Sequence, residues 1–423
     1  MFRPPIIITL LWAIAVSAQS PVAPLTPIQQ SIAAAEAAIR KSPKNFEGYN
    51  DLALAFVHRA REASDPKYYR QAEEALGNSL RLEPENFAGQ KIRARILMGR
   101  HEFVPALELA KALNRRVPDD IPVYGLVADA AIELGDYREA EDAAQWMLKL
   151  RPPSPISLMP AARLRELFGD VEGAVEFLNS ALRMTSPQEV EERAYISVWI
   201  ARLTLATGKA EAAGKWLQQA LALVPEYHPA QMGLARVFSA QHRHAEAIDI
   251  WRRECQAVPH PRTYYEFAEA LDQAGRGEEA ARAYAEFEAK ARSRTGSADN
   301  ANRELVFYYA GRGAKPAEAL RLAAQEISRR HDVYTRDAYA WALHANAEYG
   351  DARRQIEAAL AIGIRDSALF YRAGAIFSEL HQTAEAARYW QQSLDVNPLS
   401  VPARVALASV APTSDVSRYE TKQ

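Results

Sequence analysis

The sequence predicts an all-α chain of about ten stacked helix–turn–helix units, and three observations carry that prediction. Alanine supplies 80 of the 423 residues. It is the best helix former and the smallest residue that still packs, whereas a sheet protein of this size would be rich in Val, Ile and Thr. Proline recurs after Leu-rich stretches at Pro43, Pro84, Pro118, Pro152, Pro225, Pro259 and Pro398, with several intervals of 34 residues. A turn followed by a small residue falls between the prolines: LGDYREA at Leu134–Ala140, FGDVEGA at Phe168–Ala174, TGKAEAA at Thr207–Ala213, QHRHAEA at Gln241–Ala247, AGRGEEA at Ala274–Ala280 and LHQTAEA at Leu380–Ala386.

Composition excludes several classes of function. The 51 basic and 53 acidic residues leave a formal charge of -2, so no global basic field draws nucleic acid. The single cysteine, Cys255, rules out an internal disulfide, a CxxC redox pair and a cysteine-rich zinc site.

From the N-terminus, residues 1–18 (MFRPPIIITLLWAIAVSA) combine Arg3, an apolar core from Ile6 to Val16 and small residues at Val16-Ser17-Ala18. That is the pattern of a cleaved signal peptide, and the run is shorter than the ~20 residues a bilayer span needs. The expectation is an exported chain, periplasmic or secreted, free or envelope-associated, with no transmembrane segment after cleavage. Residues 19–27 (QSPVAPLTP) read as an extended linker, because their prolines cannot donate to a helix. Residues 28–42 read as a lone amphipathic helix, residues 43–292 as units one to seven, residues 293–302 as a polar linker and residues 303–398 as units eight to ten. Residues 399–423 read as a short capping helix and a polar tail.

Three stretches break the period. About seven extra residues fall in the turn of the first unit (Arg61–Lys67), where Asp65-Pro66 favours a reverse turn. Others precede the fifth unit (Ser186–Glu192) and the eighth (Ser293–Asn302), the last being polar enough to predict a hinge or sub-array boundary.

With a large residue at position 4, Leu at 7, small residues at 8 and 20, Gly at 15, aromatics at 11 and 24 and Pro at 32, these units resemble the tetratricopeptide repeat (TPR) family. The seventh unit carries Tyr264, Phe267, Ala268, Leu271, Gly275, Ala280 and Tyr284 at the family positions. The tenth carries Phe370, Ala373, Gly374, Phe377, Ala386, Trp390 and Pro398, with His381 where Gly is usual. The resemblance covers about Asn45 to Pro398 and implies a right-handed α-solenoid that binds proteins. Physically, Ala140, Ala174, Ala213, Ala247, Ala280 and Ala386 let paired helices approach, and Trp146, Trp216, Trp251 and Trp390 are expected in the core. Gly ends a helix by accepting the left-handed conformation.

Signs of chemistry are sparse. Ala310–Pro316 (AGRGAKP) superficially resembles a phosphate loop, but it lacks the Ser/Thr and the preceding strand, so it reads as a turn. His242 and His244 sit at another turn, without the carboxylates a metal would want. Cys255 reads as a packed thiol. The sequence therefore predicts no enzyme, no cofactor and no metal site.

The resemblance places positions 2, 5, 9 and 12 of each first helix on a concave groove. Position 9 is Arg95, Asp129, Arg163, Arg202, Arg236, Glu269, Tyr308, Trp341 and Ala375 in successive units, with Lys91 one turn before Arg95. The expectation is a groove that is basic over units two to six, interrupted only by Asp129. Beyond it the groove turns acidic and aromatic, with Tyr265, Glu269, Asp272, Tyr308, Asp337, Trp341, His344 and Tyr371. The arginines read either as solvated surface charge or as a ladder for a protein or extended peptide of acidic character, or for an anionic glycan. The aromatic part suggests an exported polysaccharide as the alternative partner. The carboxylate clamp of some family members needs two Lys, two Asn and an Arg across three adjacent units; Gly125 and Leu126 stand at positions 5 and 6 of the third unit, so it is not expected.

Overall fold

Small residues at the 34-residue period become the seams of helix pairs. The computed structural model describes residues 25–150 and 153–410. The signal peptide expected at 1–18, the first part of the linker and the tail from 411 lie outside the described residues. Among the described residues there are twenty-two α-helices and no strand.

A lone helix, α1 (Pro27–Lys41), leads, started by a capping box at Thr26 and Gln29. Ten pairs follow: α2 (Phe46–Ala63) with α3 (Lys67–Leu82), α4 (Phe87–Gly99) with α5 (Phe103–Arg116), α6 (Ile121–Leu134) with α7 (Tyr137–Leu150), α8 (Pro155–Leu167) with α9 (Val171–Met184), and α10 (Val190–Ala206) with α11 (Ala210–Leu223). The rest are α12 (His228–Ala240) with α13 (His244–Ala257), α14 (Pro261–Gln273) with α15 (Gly277–Arg292), α16 (Asn302–Ala310) with α17 (Pro316–Ile327), α18 (Val333–Ala345) with α19 (Tyr349–Leu360), and α20 (Ser367–Glu379) with α21 (Thr383–Val396). A single helix, α22 (Val401–Val410), ends the array. Ala140, Ala174, Ala213, Ala247, Ala280 and Ala386 are all fully buried. Each lets one helix of a pair lie directly on the other. Trp251 and Trp390 are buried as expected, but Trp146 is 44% exposed, outside the core.

Nine of the ten first helices end in a residue at positive φ: Ser64, His101, Gly135, Gly169, Gly208, His242, Gly275, Ala347 and His381. The choice between Gly and a larger residue tracks what lies beyond the turn. A Cβ on Gly135 would come within 2.6 Å of the His331 backbone, and one on Gly169 within 2.5 Å of the Gly363 carbonyl. Gly208 faces Asn397 and Pro398. These neighbours lie roughly six repeats later, so the array winds into a superhelix whose second turn rests on the helix-pair turns of the first. His331 N–H donates to the Leu134 carbonyl at 3.0 Å, and Val333 N–H to the Tyr137 hydroxyl at 2.8 Å.

The three interruptions of the period take part in this winding. The expected long turn at Arg61–Lys67 is mostly helix: α2 continues to Ala63, and only Ser64, Asp65 and Pro66 separate it from α3. The residues before the fifth unit likewise begin α10 early, at Val190. These two extensions meet: Arg61 Nε donates to Glu191 Oε1 at 2.6 Å and its Nη2 to Glu192 Oε2 at 2.6 Å, with a further bond to Glu191. The loop before α16 is not the free hinge its polarity predicted. Its Thr295 carbonyl accepts from Asn302 and Gln325, and Asp299 lies 3.4 Å from His260 and 3.7 Å from His101. A polar sequence predicts a solvated loop only where no neighbouring element supplies partners, and here α16, α17 and the segments carrying His260 and His101 do.

Candidate functional site on the concave face

The first helices of successive pairs converge on a cavity of about 680 Å³. Its wall follows the inward positions with a systematic drift. α4 contributes Met98, at position 12, and α6 contributes Asp129 and Ile132, at positions 9 and 12. From α8 come Met159 and Arg163, at positions 5 and 9; α10 and α12 give positions 2, 5 and 9 as Tyr195, Val198, Arg202 and Pro229, Met232, Arg236. α14 contributes Arg262 at position 2. The contact thus slides from helix C-termini toward helix N-termini, as it must when each unit is displaced along a superhelical axis. Arg61 and Ser64, at the end of the lengthened α2, complete the wall from across the opening.

The structure brings Arg163, Arg202 and Arg236 together on this wall as the groove positions required, but the expected free arginine row is corrected. Arg202 makes a two-pronged bond to Glu166, at 2.9 and 2.7 Å, and Arg236 does the same to Glu266, at 2.5 and 2.6 Å. Arg163 lies 3.7 Å from Glu133 and 3.9 Å from Glu166. Arg262 lies 3.4 Å from Glu266 and 3.6 Å from Glu304. Each guanidinium is answered by a carboxylate from its own or an adjacent first helix, because desolvating an unpaired charge costs far more than pairing it. Burial opposes the charge on Glu166, yet Arg202, Arg163 and the Trp199 indole outweigh it and hold the carboxyl below its ordinary range. Glu191 is held low in the same way by Arg61 and His58.

Asp129 is different. It is solvent-accessible, set in the cavity wall among surrounding protein; no Lys, Arg or His nitrogen lies within 4 Å of it among the described residues. Burial, followed by the neighbouring Glu133, pushes its carboxyl up to about 7 against the pull of Arg163 and Arg95. Glu269 on α14 is likewise raised to about 7, by burial and by Glu266, Glu304 and Asp272.

The remaining expected groove residues lie off this wall. Lys91 is paired with Asp120 at 2.8 Å and lies over the Phe87 ring. Arg95 stands near Glu192, Arg61 and Asp129 without an ion pair, and burial lowers its pKa. Tyr265 packs edge-on to Phe287, Tyr308 stacks on Tyr284 at 5.0 Å, and Trp341 stacks on His344 at 4.6 Å. Asp337 is buried in a pair with Arg372, and the Tyr371 carbonyl accepts from the Trp390 indole. Sequence reasoning missed Arg61, because an irregular insertion carries it. It also passed over Tyr195 and Val198, although counting positions 2 and 5 in the fifth unit finds both.

The small motifs resolve as structure. Gly311–Lys315 forms a turn in which Lys315 pairs with Glu288 at 2.6 Å. His242 takes the left-handed position, with the His244 ring edge-on to it. Cys255 is buried, which pushes its thiol up to about 12 and leaves it unreactive. No helix among the described residues is long and apolar enough to cross a membrane.

Residues 128–189 and 200–261 match the tetratricopeptide repeat family, covering α7, α8, α9, α11, α12 and α13, together with the second half of α6 and the last part of α10. No curated protein matches the chain in sequence. Among solved structures, the human IFIT1 dimer with m7Gppp-AAAA is similar at 13% identity, covering 87% of this chain and 86% of that one, with a TM-score of 0.50. Yeast Tom70 is similar at 12% identity over 92% of this chain and 94% of its own, with a TM-score of 0.42. The likeness to the first is one of fold.

Proposed function

From the tetratricopeptide-repeat matches and the solenoid of helix pairs, we propose that this chain is an exported, non-catalytic scaffold holding a short extended segment of a partner protein in its concave cavity. One observation supports the reading above all: the inward positions of six consecutive first helices, α4 to α14, share a single cavity. Its volume lies within the roughly 300–1,000 Å³ of ordinary ligand pockets. Methionine, valine and isoleucine beside fixed ion pairs offer apolar contact and hydrogen bonding together, which an extended peptide uses and which no arrangement of nucleophile and base accompanies. The polysaccharide alternative draws no support from Tyr265, Tyr308 and Trp341, whose ring faces or edges are already taken by neighbouring aromatics. Nor does the likeness to an RNA-bound structure favour a polyanion here, since the wall arginines are internally neutralised.

A photo-crosslinking residue at Val198, inside the cavity, is expected to capture the partner, whereas the same probe at the exposed Gln219 on α11 is not. Capture from Gln219 alone would move the binding surface to the convex side. Export rests on residues 1–18, and mass spectrometry of the secreted or periplasmic protein should find a chain starting at Gln19. An intact Met1 there would refute cleavage.

A further inference from the structure

Resting on the reading that the cavity takes a partner segment, we infer that this segment carries a basic side chain, seated on Asp129. The argument is an accounting of charge on the wall. Arg61 is bound by Glu191 and Glu192, Arg163 by Glu133 and Glu166, Arg202 by Glu166, and Arg236 and Arg262 by Glu266. Glu133 is approached by Arg163 and by Arg330, both at 3.7 Å. His260 accepts the Arg262 N–H at its Nδ1, and its Nε2 lies 3.4 Å from Asp299. Among the described residues, Asp129 is the one charged group of the wall left without a partner. Arg95, which also lacks an ion pair, stands off the wall and half-buried; on the wall itself an acidic ligand would have to break an existing pair to find a cation, leaving a carboxylate unsatisfied. A lysine or arginine meets a carboxylate that nothing else holds.

The surroundings suit such a side chain. Met98 of α4, Ile132 of α6 and Met159 of α8 share the wall with Asp129 and can cover an aliphatic stem. The groups facing Asp129 are Glu133 on its own helix, Arg95 on α4, Arg163 on α8 and Tyr195 on α10. Because the free carboxyl titrates near neutrality, seating a cation there drives off a proton. Binding of a basic segment therefore strengthens as pH rises through about 7.

Three acetylated, amidated hexapeptides with Lys, Gln or Glu at one central position and alanine or serine elsewhere test this by titration calorimetry on the full chain. At pH 8 the Lys peptide should bind at least fivefold tighter than the Gln peptide and the Glu peptide weakest, with the Lys advantage shrinking at pH 5.5. Asp129→Asn, checked for unchanged helical circular dichroism, should erase the Lys advantage and the proton release while retaining the Gln peptide. A Glu peptide binding tightest, or a Lys advantage that survives Asp129→Asn, overturns the inference and leaves the cavity reading standing. Val198→Trp, which puts an indole into the cavity, should weaken binding of all three. If that variant leaves binding intact, or if no peptide binds the native chain, the cavity reading itself fails.

Discussion

At the scale of single residues, the same cavity that makes Asp129 available to a ligand makes it a burden on the fold. A carboxyl whose folded pKa is raised binds its proton more tightly than in the unfolded chain, whose carboxylates titrate near pH 4. Its effect on stability is therefore nil below about pH 4, grows more unfavourable through the interval up to about 7, and is constant above that. Asp129→Asn should accordingly stabilise the protein by about 1 kcal/mol at pH 8, after allowance for solvent screening of an exposed side chain, and by nothing at pH 3.5. Urea denaturation at the two pH values checks it; an equal gain at both would assign the effect to something other than the charge. Turn residues offer a second contrast. Gly275→Ala meets no atom within 4 Å and should cost only the left-handed strain of about 1–2 kcal/mol. Gly135→Ala carries the same strain and also drives a methyl group into the His331–Asp332 backbone, so it should cost a further 1–3 kcal/mol or so. Equal midpoints for the two variants would mean that the superhelical turns are not in contact.

At the scale of elements, the helix pairs were legible in the sequence because each is built from contacts within one 34-residue unit, where alanine, glycine and proline recur in phase. The insertions were less legible. Arg61–Lys67 contains Ser, Asp and Pro, the residues of a turn, yet three of its positions extend α2. What decides this is a contact 130 residues away, where Glu191 and Glu192 await the guanidinium and the Tyr195 ring lies 4.5 Å beneath it. The charge on the groove face is hard to read from sequence for a related reason. Periodicity says which face Arg163, Arg202 and Arg236 share; it does not say that Glu166 and Glu266 reach the same face from adjacent positions to neutralise them. The Arg61 contact carries a quantitative expectation. Arg61→Ala leaves Glu191 in a buried position with Tyr227 and His58 as its remaining partners, and should cost about 2–3 kcal/mol. Pairing it with Glu191→Gln should recover part of that loss, since an uncharged amide replaces the stranded carboxylate; a double variant as unstable as the sum of the singles would deny the coupling.

At the scale of the whole molecule, a solenoid of repeats is ordinarily held by contacts between neighbours, so that ends fray and stability is nearly a sum over units. This chain adds a second kind of bond, between units separated by a full superhelical turn, and places it where glycine leaves room. The backbone N–H groups of His331 and Val333 precede α18 or begin it, where a helix has no internal partner for them. One finds the Leu134 carbonyl and the other the Tyr137 hydroxyl, 196 residues away from Val333. Tyr137 is buried and its phenol is pushed well above its ordinary pKa by that burial, so at neutral pH the hydroxyl stays un-ionised and accepts the bond. Tyr137→Phe removes the acceptor while keeping the ring. Amide hydrogen exchange at Val333 should then accelerate at least tenfold, the loss of about 1.4 kcal/mol of local protection, in line with one buried hydrogen bond. His331 should accelerate with it if the two superhelical turns separate as a unit, whereas amides inside α10 and α12 should keep their rates. Exchange at Val333 unchanged by Tyr137→Phe would mean that its protection comes from α18 alone, and the array would then behave as a simple row of neighbours.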